Sequence, residues 1–139
     1  MSVTFRILPV HGLVYVRYDG IAVLEETFRA FDAYARHPQQ RPGQKQLVDL
    51  AGITGVEQDY VRLMALQSRK ADLFSAHEGQ TMIVYYAPTP LSYDLSKMVL
   101  RSWDGLDSIV ALVQQTEAGA LALLGLRERS FAALLQTAV

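Results

Sequence analysis

Alternating apolar and polar positions open the chain. Residues 3–8 place Val3, Phe5 and Ile7 on one side of an extended chain, which is typical of a half-buried strand. The following segment, LVYVRYDG, is rich in β-branched and aromatic residues and is predicted to end at a turn at Asp19-Gly20. Only four residues separate these two strands, too few for a crossover helix, so they are predicted to pair antiparallel.

The rest of the chain alternates between helical periodicity and short apolar runs. Three helices are predicted, over residues 21–36, 57–76 and about 89–103, each ended by a segment that contains Pro or Gly. Thr89 is the predicted N-cap of the third helix, with Pro90 at its first helical position. Strands are predicted at residues 45–50, 81–88 and 109–115. A further helix follows Thr116 and breaks near Gly125, and residues 127–139 form a last helical segment.

This order of elements predicts an α/β fold with a mixed sheet, an antiparallel opening pair and flanking helices, in the order β-β-α-β-α-β-α-β-α. A doubly wound fold of the receiver or flavodoxin type would need a helix between the first two strands. Residues 81–88 are too apolar to have a solvated face, so this strand is expected in the sheet interior, covered on both sides. Residues 1–139 are interpreted as one domain, with residues 127–139 as a candidate extra helix.

Composition narrows the classes of function. Half of the 139 residues are hydrophobic, and the net charge of −1 gives none of the basic excess that binding to nucleic acid requires. The absence of cysteine excludes disulfides, thiolate metal sites and a cysteine nucleophile. The N-terminal segment alternates rather than forming a signal-peptide core, and no run approaches the roughly 20 apolar residues that span a bilayer. A soluble cytoplasmic protein without membrane insertion is therefore expected.

A polar segment precedes the second predicted helix. Thr54 stands three residues before Glu57, which is the spacing of a capping box. Glu57 and Asp59 would lie near the positive end of the helix dipole, where a carboxylate contributes about 0.3–1 kcal/mol. The plain interpretation is that these side chains stabilise the start of a helix.

The surrounding segment, LVDLAGITGVEQDYVRLMALQ, resembles the central motif of the STAS domain, the anti-sigma-factor antagonist family. Asp49, Leu50, Gly52, Ile53 and Thr54 fall where that pattern expects them. The resemblance implies a STAS-like bacterial domain that covers most of the chain and binds a protein partner. The serine that switching members phosphorylate corresponds here to Asp59, so the resemblance does not extend to a phosphorylation switch. Asp59 is then either a solvent-facing acid or a fixed, weaker substitute for a phosphoserine.

Basic residues follow on the second predicted helix. Arg62 and Arg69 lie about two turns apart on one side, and Lys70 is adjacent. In a STAS-like domain this face would meet the partner, although any solvated helix carries such charges. The first hypothesis is a non-catalytic regulatory or protein-interaction domain with these partner-binding residues: Thr54, Glu57, Asp59, Arg62 and Arg69.

A second hypothesis is a carrier or sensor of a small apolar ligand. STAS-like proteins that lack the serine also resemble a small lipid-carrier fold with an apolar cleft between helices and sheet. Tyr85 and Tyr86 end the interior strand at the edge where open sheets bind ligands, and Leu91 and Met98 belong to the apolar third helix, predicted to face inward with Leu95 and Val99. Residues of this kind are far more often part of a packed core than of a ligand site.

An enzyme is the least favoured class. His11, His37 and His77 are isolated in connecting segments and are interpreted as surface residues, so no metal site or cofactor is predicted. No nucleophile elbow, phosphate-binding loop or dinucleotide motif is present.

The C-terminal segment is amphipathic. Phe131, Leu134 and Leu135 lie close together in it. This apolar face could be buried in a homodimer or packed back on the chain's own sheet, and the sequence does not distinguish the two.

Overall fold

One five-stranded sheet organises the protein in the computed structural model, which describes residues 2–137. The strands are β1 (Val3–Leu8), β2 (Leu13–Ala22), β3 (Lys45–Val56), β4 (Thr81–Tyr86) and β5 (Ile109–Gln114). They are arranged in the order β1-β2-β3-β4-β5. β1 pairs antiparallel with β2, and the other pairs are parallel. The predicted α/β fold with a mixed sheet and an antiparallel opening is confirmed.

Helices cover both faces of this sheet. They are α1 (Leu24–Ala35), α2 (Tyr60–Phe74), α3 (Pro90–Arg101), α4 (Glu117–Leu123) and α5 (Phe131–Thr137). The first three each lead from one parallel strand to the next and pack on one face, while α4 and α5 pack on the other. A 3-10 turn at Pro9–His11 joins β1 to β2.

The interior strands have two buried faces because both faces carry helices. In β4, Ile83 and Tyr85 point towards α1 to α3, and Val84 and Tyr86 point towards α4 and α5. The prediction that this strand lies inside the sheet and is covered on both sides is therefore confirmed.

The second strand is longer than its turn signal predicted. Asp19-Gly20 does not end β2 but forms a bulge, at which the pairing register with β3 shifts and Gly20 takes a positive φ of 72°. A bulge needs the same conformational freedom as a turn, so the two signals look alike in sequence. β2 continues to Ala22, opposite Val56, and the prediction that Ile21 begins a helix is wrong.

The predicted start of the second helix is also wrong, for a related reason. β3 finds a pairing partner in the extension of β2 and runs through Thr54, so Thr54 is an exposed strand residue and forms no capping box with Glu57. α2 begins at Tyr60, and its N-cap is Asp59, whose carboxylate accepts the Arg62 N–H at 3.0 Å. The predicted cap of α3 is confirmed: Thr89 precedes Pro90.

Substituting Asp59 with alanine is expected to lower the free energy of unfolding by about 1 kcal/mol, because the first turn of α2 loses its side-chain acceptor. Asp59→Ser should recover most of this loss, since serine also caps helices. Glu57→Ala should change it by less than about 0.5 kcal/mol. Urea denaturation measures the free energy of unfolding of all three variants. A larger effect at Glu57 than at Asp59 would contradict the observed cap and support the predicted capping box of Thr54 and Glu57.

The C-terminal segment packs on its own sheet. The Phe131 ring lies 5.8 Å from the ring of Tyr15 and 4.9 Å from that of Tyr86, both edge-on, and Leu134 is fully buried. Of the two arrangements left open by the sequence, packing on the chain's own sheet is the one observed for α5. Residues 138 and 139 lie outside the described part of the chain.

Candidate functional site

The two arginines predicted to bind a partner are engaged within the chain. Arg62 forms an ion pair with Glu25, and Arg69 forms one with Asp32 at 2.6 Å, both across to α1. Each guanidinium also lies over the ring of Phe28, at 5.5 and 5.6 Å from its centroid. Exposed pairs of this kind contribute at most about 1 kcal/mol each, but they neutralise the basic face and tie α2 to α1.

The remaining predicted partner residues lie at the solvent boundary. Thr54 and Glu57 are exposed, and Asp59 caps α2. The first two residues of α2 are apolar side chains in solvent: Tyr60 is 70% exposed and Val61 is 80% exposed. This end of the molecule therefore presents two apolar side chains next to exposed polar and acidic ones.

Lys70 lies on a different face of α2 from Arg62 and Arg69. It belongs to the inward stripe of α2, which consists of Leu63, Leu66, Gln67, Lys70 and Phe74. These positions follow the spacing of one helix face, so Lys70 occupies a place that the pattern would give to an apolar residue. Sequence reasoning grouped Lys70 with Arg69 because they are adjacent, whereas consecutive helical residues face about 100° apart.

A cavity of about 120 Å³ lies between this stripe and the sheet. Side chains from α1, α2 and α3 form its roof, and β1 to β4 form its floor. The wall is mainly aliphatic and aromatic. A few polar side chains interrupt it, among them Tyr18, Tyr34, Gln67, Lys70 and Tyr85.

Most of the polar wall groups are fixed by hydrogen bonds. Trp103 Nε1 donates to the Tyr85 hydroxyl at 2.9 Å, and Gln67 Nε2 donates to Ser102 Oγ at 2.8 Å. The Tyr34 hydroxyl donates to Gln44 Oε1 at 2.7 Å. Burial raises the pKa of Tyr85 well above its ordinary value, so its phenol is neutral at physiological pH.

Lys70 is the exception within the wall. It is the one charged residue among the described residues that line the cavity. Burial lowers the pKa of its ammonium to about 8, and no neighbouring charge contributes to the shift. No hydrogen-bond or ion-pair partner for it is found in residues 2–137.

The cavity includes one of the four predicted ligand-binding residues. Tyr85 is part of the wall, whereas Tyr86 points to the opposite face of the sheet and packs on Phe131. Leu91 is 44% exposed, so the prediction that it faces inward is wrong, and Met98 lies outside the wall. α3 contributes Leu95 and Val99 instead, four residues apart along one face, and Trp103 lines the cavity just after the helix ends.

A buried polar pair lies on the other face of the sheet. The Tyr15 hydroxyl donates to Asp49 Oδ2 at 2.5 Å, and Asp49 Oδ1 accepts the Ala51 N–H at 3.0 Å. Burial, and then the Asp49 carboxylate, raise the pKa of Tyr15 strongly. Sequence reasoning noticed Asp49 only as part of the STAS-like motif and did not predict the pair, which joins β2 to β3.

The three histidines remain separate. His11 lies 3.7 Å from Glu128, His37 packs edge-on against the ring of Phe5, and His77 lies beside Gly43. All three lie in connecting segments, as predicted, and are partly exposed. Within residues 2–137, no group of three or more histidine, aspartate or glutamate side chains is placed to hold a metal ion.

Comparisons with known proteins give no assignment: no family model matches the chain, and no curated protein shows a significant match. The resemblance to the STAS domain therefore stays a prediction. No helix among residues 2–137 is long and apolar enough to cross a membrane.

Proposed function

We propose that this protein binds a small apolar molecule in the cavity beneath α1, α2 and α3, as a carrier or sensor. The cavity itself is the observation that supports this proposal, because it is lined by three helices and the central strands and its wall is mainly apolar. Arg62 and Arg69 of the predicted protein-docking face are already paired with α1, so docking of a partner is taken as the second candidate.

The size of the cavity is informative. Protein interiors are packed to crystal-like density, with few voids larger than a water molecule. The cavity of about 120 Å³ is well above that size. Apolar cavities of about 150 Å³ in other proteins bind benzene. A ligand of six to eight non-hydrogen atoms is therefore the expected size, on the order of hexan-1-ol.

Filling the cavity with protein atoms should abolish binding. Ala30 lines it from α1, so Ala30→Leu should raise the free energy of unfolding by about 1 kcal/mol and weaken the binding of hexan-1-ol at least about tenfold. For the wild type, burial of the hexyl chain at about 0.8 kcal/mol per CH₂ predicts a dissociation constant below about 1 mM. Isothermal titration calorimetry and thermal unfolding measure these quantities.

The matched control is Ala33→Leu. Ala33 lies in the same helix but is exposed and outside the cavity wall, so hexan-1-ol affinity should stay at the wild-type value. Equal loss in both variants, or no detectable binding by the wild type, would contradict the proposal. Native mass spectrometry of the purified protein, followed by denaturing conditions, would also identify a molecule that copurifies.

A second candidate function is docking of a protein partner, as the resemblance to the STAS domain implies. The exposed Tyr60 and Val61 support it, together with Ile21 on the paired extension of β2. Exposed apolar groups of this kind often mark an interaction site. The adjacent Tyr60 and Val61 define the docking surface, and the arginine face next to it on α2 stays a prediction. The cytoplasmic location and the bacterial origin stay predictions.

Replacing Tyr60 and Val61 together by serine is expected to abolish the capture of such a partner, because both apolar side chains would be lost from the docking surface. The free energy of unfolding should fall by less than about 1 kcal/mol, since neither residue is buried. Pull-down with quantitative mass spectrometry measures capture. Val10→Ser, at a remote exposed position, is the control, and a partner lost equally in both variants would contradict docking at this surface.

A further inference from the structure

Lys70 is the feature of the cavity that an apolar ligand alone leaves unexplained. Lys70 is partly exposed, and its ammonium loses part of its hydration beside an apolar wall without gaining a compensating charge. Elsewhere on α2 the cations are paired: Arg62 with Glu25 and Arg69 with Asp32. Lys70 has no such partner within residues 2–137. Among those residues, it is the one charged side chain that lines the cavity.

We infer that Lys70 receives the carboxylate of an amphiphilic monoanion whose apolar tail occupies the cavity. This inference rests on the proposed ligand-binding function and specifies its ligand class. One ammonium balances one negative charge, which favours a monocarboxylate over a phosphate dianion. A neutral ligand would leave the cation without a partner.

Other polar side chains of the cavity wall suit the carboxylate head group of such a ligand. Gln67 precedes Lys70 by one turn on α2 and is hydrogen-bonded to Ser102, next to Trp103. Trp103 donates to the oxygen of Tyr85, while the hydroxyl proton of Tyr85 has no acceptor within residues 2–137. The cavity wall therefore contains a cation and a neutral phenol donor. Most of the remaining wall is aliphatic and aromatic, as the tail requires.

The inference predicts a pH dependence with a defined sign. The ammonium titrates at a pKa of about 8 and must be protonated to bind the carboxylate. Hexanoate affinity should therefore fall about tenfold between pH 7 and pH 9. The other titratable wall groups are tyrosines on α1, β2 and β4, whose pKa values burial raises above the ordinary value near 10. They stay neutral over this range, so hexan-1-ol affinity should not change.

The test compares hexanoate with hexan-1-ol on the full chain. Lys70→Met keeps an unbranched side chain and removes the charge. Hexanoate should bind this variant at least about tenfold more weakly than the wild type, while hexan-1-ol affinity stays within about threefold. Lys97→Met, at an exposed position on α3, is the control and should leave both affinities unchanged.

The outcomes separate the two proposals. Equal effects of Lys70→Met on hexanoate and hexan-1-ol, or wild-type protein that binds only the alcohol, would overturn the carboxylate assignment and keep the cavity function. Failure of both probes would overturn both. If the variant does not fold, NMR of isotopically labelled lysine in the wild type decides: hexanoate should raise the pKa of Lys70, and hexan-1-ol should not. An unchanged pKa with hexanoate would overturn the assignment.

Discussion

Truncating Leu134 to alanine should lower the free energy of unfolding by about 3 kcal/mol. Leu134 is 0% exposed and belongs to the cluster between α4, α5 and the sheet. The substitution removes an isopropyl group, so it loses the free energy of burying that group and leaves a cavity that the surrounding strands fill only partly. Denaturation with urea, followed by circular dichroism, measures the loss. A soluble but weakened variant would show that α5 completes the core of the chain itself.

Leu123→Ala is the matched control for this experiment. Leu123 belongs to α4 and is 38% exposed, so its truncation should cost less than about 1 kcal/mol. If the apolar face of α5 instead served a homodimer, the loss at Leu134 would depend on protein concentration. Light scattering would then show a change of mass. A concentration-dependent midpoint would contradict the arrangement in which Phe131 and Leu134 pack on their own sheet.

The fold could be predicted from the sequence because the signals for its strands and helices come from residues that are close together in the chain. Apolar run length placed β4 inside the sheet, and Thr89-Pro90 marked the start of α3. The turn predicted at Asp19-Gly20 is a bulge instead, because a positive-φ glycine serves a bulge as well as a turn. Whether β2 stops there depends on β3, which is far away in sequence and supplies the hydrogen-bond partners.

The cavity was less predictable than the fold. Tyr85 was identified from its place at the end of an interior strand, but the inward position of Lys70 was not recognised. The helical spacing from Leu66 through Lys70 to Phe74 contained that information. The charge of Lys70 suggested a solvent-facing position, against the helical spacing, because lysines are rarely buried in proteins. The pairing of Arg62 with Glu25 could not be predicted, since it depends on how α1 and α2 lie side by side.

Substituting Asp49 with alanine is also expected to cost about 3 kcal/mol. The substitution leaves the Tyr15 hydroxyl without its acceptor in a buried position between β2 and the helices α4 and α5. A hydrogen bond to a charged group contributes about 1.5–3 kcal/mol, and an unsatisfied buried donor adds its desolvation cost. The Ala51 N–H also loses its acceptor, although Ala51 is exposed and can bind water. Urea denaturation at pH 7 measures the effect.

A double-mutant cycle with Tyr15→Phe identifies the cause. If the hydrogen bond carries the effect, Asp49→Ala and Tyr15→Phe together should cost less than the sum of the single variants, by about 1.5–3 kcal/mol. Asp49→Asn keeps an acceptor of the same shape and should lose less than Asp49→Ala. Additivity within about 0.5 kcal/mol would instead mean that the two side chains act independently. In the expected case, the aspartate that suggested a STAS-like motif has a structural role: it joins β2 to β3 on the sheet face opposite the ligand cavity.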